Sequence, residues 1–141
     1  MKDNPLKINA ERYYKKLNAE IAIRTSFMND TKWRKLIELL QNERINSLEI
    51  KFLLDNIVRK NFDFGYVNNN YCDTMIGAFY LKEIEWIFIP KQLEKQRFNR
   101  DEQLTSDFTV QNLDGFVEKL EKLGQFQYEK DENGVKIFAY K

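Results

Sequence analysis

Glu83 and Glu85 are the residues of this chain best placed by type and spacing for acid–base chemistry. On an extended strand two such carboxylates share one face at about 7 Å, twice the rise per residue. That separation is one an acid/base pair can use. The same spacing also describes a solvated strand face beside lysines of neighbouring strands, and the usual exposure of Glu favours that simpler picture. Asp55 and Asp63 are further carboxylates on which such a site could draw. Most other catalytic equipment is missing. The 141 residues include no histidine, which removes the commonest general base, the commonest metal ligand and every Ser-His or Cys-His nucleophile. A lone cysteine, Cys72, cannot build a zinc site. Beside Asp73, whose charge raises a thiol pKa, it reads as structural. No glycine-rich phosphate loop is present. Asp101-Glu102 and Asp131-Glu132 are adjacent pairs, not the spaced oxygen ligands that calcium requires. No catalytic residue, cofactor or metal is assigned.

Binding is a better match to the residue types than catalysis. Phe62, Phe64, Tyr66, Tyr71, Phe79 and Tyr80 crowd two neighbouring stretches. Sheets that read single-stranded RNA stack bases on such rings, but they interleave Arg and Lys. Here Asp63, Gly65, Val67 and Asn68 stand between the rings, which suits a core or a protein-facing surface. Phe62, Phe64, Tyr66 and Tyr71, with Glu83 and Glu85, are the candidate binding residues. With 23 Lys plus Arg against 22 Asp plus Glu, the net charge of +1 leaves no footprint for nucleic acid or an anionic membrane. The basic run from Lys91 to Arg100 reads as a solvated face. The expected partner is another protein or a second copy of the chain.

These residues must be positioned by strands. Glu83 to Pro90 alternates charge and bulk and then turns apolar on both faces at Trp86 to Ile89, as a strand central to a sheet does. Upstream, Leu48, Ile50, Phe52 and Leu54 share one face of a first strand. Asn61 to Asn70 reads as a second, with Asn68-Asn69-Asn70 as the turn. Tyr71 to Leu81 reads as a third, its Gly77 marking a bulge or a close approach of another backbone. Strands in such quick succession pair as antiparallel neighbours.

Helices flank them. Asn4-Pro5 starts the first, with Ala10, Tyr13, Tyr14, Leu17 and Ile21 on one face. The residues do not decide between a packed satellite and a loose arm. Asn29-Asp30-Thr31 caps a second helix whose Trp33, Leu36, Ile37 and Leu40 form a stripe. Residues 91 to 107 are polar, a short helix and then a mobile surface loop. A third helix runs from about Val110 to Leu123 on Leu113, Phe116, Val117 and Leu120, with Gly124 as its C-cap. Asn133-Gly134 turns a closing hairpin. The expected order is α-α-β-β-β-β-α-β-β: an α+β domain with an antiparallel sheet of about four to six strands and helices mostly on one face.

At this length one domain is expected, with the first 25 residues peripheral to it. A single cysteine fits a reducing compartment. No apolar stretch follows Lys2 as in a signal peptide, and none is long enough to span a membrane. A cytoplasmic protein is the expectation.

Phe27-Met28-Asn29-Asp30-Thr31-Lys32-Trp33-Arg34, Ile84-Glu85-Trp86-Ile87 and Val135-Lys136-Ile137-Phe138-Ala139-Tyr140 together resemble a family of small bacterial proteins of unknown function. That family looks like an N-D-T-K-W-R helix start, an I-E-W strand and a strand ending G-Y, where this chain has Ala139-Tyr140. The resemblance covers residues 27 to 140 and implies a compact bacterial α+β domain; it carries no activity and no catalytic residue. Missing chemistry and abundant aromatics point to a non-catalytic protein-binding module, such as an immunity or adaptor protein. The alternative is a hydrolase-like enzyme working with Glu83 and Glu85, which predicts a concave pocket where those carboxylates converge.

Overall fold

The computed structural model describes residues 5–97, 105–111 and 113–141. Pro5 opens helix α1 (Pro5–Ala22), where its missing N–H costs nothing. The helix packs in cis: Leu17 is fully buried, and Tyr14 and Ile21 lie against the core. Helix α2 (Asp30–Asn42) is capped by Asn29, whose side chain accepts from the Lys32 N–H at 2.8 Å. Its expected stripe of Trp33, Leu36, Ile37 and Leu40 is the buried one. Arg44 closes the helix in the left-handed region at φ 56°, and Ile45 then donates to Leu40 at 2.9 Å.

The main sheet holds β1 (Leu48–Phe52), β2 (Val58–Phe62), β6 (Ile84–Pro90), β9 (Tyr128–Lys130) and β10 (Gly134–Phe138). Their order is β2-β1-β6-β10-β9, antiparallel throughout, so the Trp86-containing strand is the central one. Register puts Ile50, Ile87 and Ile137 in one row, with Ile89 beside Val135. All five are fully buried, in one core with the stripes of α2 and α3 (Leu113–Leu123). On the opposite face the Lys136 ammonium lies 4.0 Å from the centre of Trp86, and that of Lys141 lies 4.5 Å from Phe138. These long stems shield the rings while their heads stay polar. Asp131 accepts from the N–H groups of Asn133 and Gly134 and so builds the expected turn between β9 and β10.

Elsewhere the strands divide further than their residues suggest. The stretch read as one strand over 61–70 is broken, because Asn61 takes φ 54° and β2 ends at Phe62. A three-stranded sheet follows, built from β3 (Tyr66–Asn68), β4 (Tyr71–Thr74) and β5 (Gly77–Tyr80) in that order. Asn69, at φ 55°, makes the expected turn into β4. Tyr71 to Leu81 is a hairpin, with Met75-Ile76 at its tip and the Thr74 hydroxyl donating to the Gly77 carbonyl at 2.9 Å. Gly77 serves that turn through φ 115°, and a Cβ there would meet nothing. The close backbone approach belongs to Gly65, where a Cβ would stand 2.5 Å from the Asp73 carbonyl oxygen.

Residues 92–97 and 105–110 also correct the expected helix and loop. β7 (Gln92–Arg97) pairs in register with β8 (Thr105–Val110). Thr105, Phe108, Thr109 and Val110 are strand formers, and with Val110 in β8, α3 begins only at Leu113. Of the stretch 91 to 107 expected to be mobile, residues 98–104 lie outside the described residues. No described helix is long and apolar enough to cross a membrane.

Candidate functional site

Where β1 ends, the chain needs a turn, and Asp55 supplies it. Its carboxylate accepts from the Ile57 N–H at 3.1 Å and from the Arg59 guanidinium at 3.2 Å. Arg59 in turn lies over the Phe52 ring, 5.1 Å from its centre, and Phe52 meets Phe79 of β5 edge-on at 4.8 Å. The third side comes from the turn Leu81–Glu83, a single 3-10 turn between β5 and β6. Its peptide carbonyl at Glu83 accepts from Leu53, the residue just after β1, at 2.8 Å. Tyr13 of α1 completes the rim. Between these elements lies a cleft of about 230 Å³, walled by Phe52, Leu54, Phe79 and Ile76 and holding Asp55, Arg59, Tyr13 and Glu83.

Among the described residues Glu83 is the buried charged one, only 6% exposed. It survives there because it is bonded: the Tyr13 hydroxyl donates to one carboxylate oxygen, and the Tyr80 N–H donates to the other at 2.6 Å. Burial, reinforced by the Glu83 hydrogen bond and charge, raises the Tyr13 phenol above its ordinary range. Tyr13 therefore remains a donor at neutral pH. Glu83 thus ties α1, β5 and the end of β1 together.

The two expected partners, Glu83 and Glu85, are not brought together. Glu83 precedes the strand, so the period of two does not apply to it. Glu85 sits in β6 at a register shift, where Trp86 opposes Lys51 and Ile84 opposes Phe52. Its carboxylate is held by Lys51 and, at 3.1 Å, by Arg24. Instead of Glu85, the cleft sets Asp55 beside Glu83. Asp63 lies outside the cleft, its carboxyl raised by burial. Cys72 is fully buried, and its thiol is pushed up to about 11, by burial first and by Asp73 to a smaller degree. Among the described residues no three Cys, Asp or Glu gather where a metal ion could be held.

The four aromatics separate into two pairs. Phe62 and Phe64 are core residues, 4.9 Å apart edge-on, with Trp33 beyond Phe64. Pairing of Tyr66 with Asp73 and of Tyr71 with Tyr80 puts Tyr66, Tyr71 and Tyr80 on the outer face of the small sheet. Tyr66 is 73% exposed there. A chain of edge-on contacts runs from Tyr71 through Tyr80 (6.0 Å) and Tyr14 (5.7 Å) to Tyr13 (5.1 Å) at the cleft. Sequence reasoning missed the apolar residues around that cleft: Ile57 at 57%, Ile76 at 46% and Met75 with its side chain wholly in solvent. A signal existed in Met75-Ile76, because an apolar pair directly before Gly77 occupies turn positions that polar residues ordinarily fill.

The sequence pattern described as "Family of unknown function (DUF6678)" matches residues 18–141, and the chain belongs to that family. The match begins nine residues before the resemblance read from the three motifs and leaves the first part of α1, including Tyr13, outside it. No curated protein and no solved structure matches the chain.

Proposed function

We propose that this member of the family is a non-catalytic protein-binding module, of the immunity or adaptor kind, that docks its partner over the cleft and the adjoining small sheet. The observation that carries the reading is apolar exposure in two adjacent pairs, Ile57-Val58 between the cleft residues Asp55 and Arg59, and Met75-Ile76, of which Ile76 lines the cleft. Grouped apolar exposure beside polar groups is what docking surfaces present. The neighbouring Tyr13 and Tyr71, both partly exposed, belong to the residue types that interface centres favour. The competing reading, an enzyme working with carboxylates alone, now rests on Asp55 and Glu83. Both are engaged already, by Arg59 and Ile57 and by Tyr13 and Tyr80, which favours a positioning role over proton transfer.

The test is affinity capture from the native host with the full chain and with a Met75→Gln, Ile76→Gln variant, which removes apolar surface without adding charge. A protein recovered near stoichiometry by the parent and lost by the folded variant is the expected result. Capture that is absent, or equal for both, overturns the reading.

A further inference from the structure

We infer that the cleft is a socket for one cationic side chain of the partner protein, an arginine in particular. The inference rests on the reading of the chain as a protein-binding module and specifies what that partner presents. Size sets the scale of the occupant. At about 230 Å³ the cleft falls below the roughly 300–1,000 Å³ of small-molecule sites, and it suits a single anchoring side chain of the kind that dominates interface energetics.

Charge selects the sign. Two carboxylates, Asp55 and Glu83, face one guanidinium, Arg59, among the cleft's residues, so the wall keeps one negative charge in excess. Glu83 accepts one hydrogen bond at each oxygen, whereas an ionised carboxylate offers about four acceptor sites. A guanidinium brings donors to the unused ones. An aliphatic side chain would strip water from them and offer nothing in return, which is costly in a partly buried site.

The walls suit the same group. Phe79 lines the cleft beside Phe52, whose ring already carries the Arg59 guanidinium, and a planar guanidinium stacks well on aromatic rings. The chain contains its own example of the geometry, since Arg59 rests over Phe52 while bonding Asp55. Phe79 and Glu83 line the same cleft, so an incoming arginine meets there the same two residue types, an aromatic ring and a carboxylate.

Amide NMR of the full chain tests this with three probes: N-acetyl-arginine amide, its neutral isostere N-acetyl-citrulline amide, and N-acetyl-leucine amide. The reporters are the N–H groups of Tyr80 and Ile57, which bond Glu83 and Asp55. Saturable shifts at both are expected with the arginine probe, with affinity about tenfold weaker for citrulline, because charge-assisted hydrogen bonds are roughly twice as strong as neutral ones. Asp55→Asn should weaken the arginine probe without loss of fold, since an amide oxygen can still accept from Ile57. Equal affinity for citrulline, preference for leucine, or no saturable shift before the exposed Glu118 amide responds overturns the socket. A captured partner that the Met75→Gln, Ile76→Gln variant loses and Asp55→Asn retains at full affinity leaves the docking surface standing and removes the cationic anchor. A partner retained by both removes the docking surface itself.

Discussion

The five-stranded and three-stranded sheets use similar residues to different ends. In the larger one, Ile50, Ile87 and Ile137 line up across three strands and are fully buried against the helices. Its other face is shielded by the stems of Lys136 and Lys141 laid over Trp86 and Phe138. In the smaller one, the face carrying Cys72 and Phe79 reaches the core and Tyr80 on the other face meets Tyr14 of α1, while Tyr66, Tyr71 and the tip at Met75 remain in contact with water. Burying both faces stabilises a fold and leaves little surface for a partner. A sheet buried on one side leaves the other available for recognition, and the proposed docking surface lies on that side and on the cleft beside it.

The contrast predicts where substitutions are felt. The largest effect belongs to the helix-covered core: Trp33→Ala should cost about 3–5 kcal/mol, read from denaturant unfolding, because Trp33 is almost wholly buried in α2. A cost below about 1 kcal/mol would mean that the helix does not hold that sheet. Next is the junction of the two regions. Glu83→Gln should cost about 1.5–3 kcal/mol, the range for hydrogen bonds to a charged group, as it weakens the ties to Tyr13 and Tyr80. Amide exchange at Tyr80 and Leu53 should quicken more than at Ile87.

A smaller effect appears only in alkali. Tyr13 holds its proton more tightly in the folded chain than in the unfolded one. Its contribution is therefore complete below the ordinary tyrosine value of about 10 and is lost as pH rises toward the raised folded value. Stability should fall above pH ~10, and Tyr13→Phe should shallow that fall while leaving the profile flat at neutral pH. Identical alkaline profiles would place the titration elsewhere, for example at Tyr14, which burial also raises.

How legible each region was follows from how its residues repeat. The stripe of α2, the central place of β6 and the closing hairpin were readable, because full burial on one side imposes a period that nothing else produces. Glu83 misled, since Glu83-Ile84-Glu85-Trp86 alternates like a strand while the chain is still in a 3-10 turn, and a buried hydrogen-bonded carboxylate looks the same in sequence as a solvated one. The β7–β8 hairpin escaped because its polar residues carry no one-sided pattern. Tyr66 and Tyr71 could be suspected of binding, but residue type alone could not separate them from Phe62 and Phe64. The cleft itself joins Tyr13, Asp55, Ile76 and Glu83 across 70 positions of sequence, a convergence that only the tertiary fold creates.

The most direct test places a photo-crosslinking residue at position 75, on the tip of the small sheet, and at position 118, on the exposed side of α3, in the native host. The account predicts one adduct with a different protein from position 75 and none from position 118. Adducts of equal yield from both positions, none from either, or one at twice the 17.0 kDa chain mass would contradict a docking surface for a foreign partner on the small sheet.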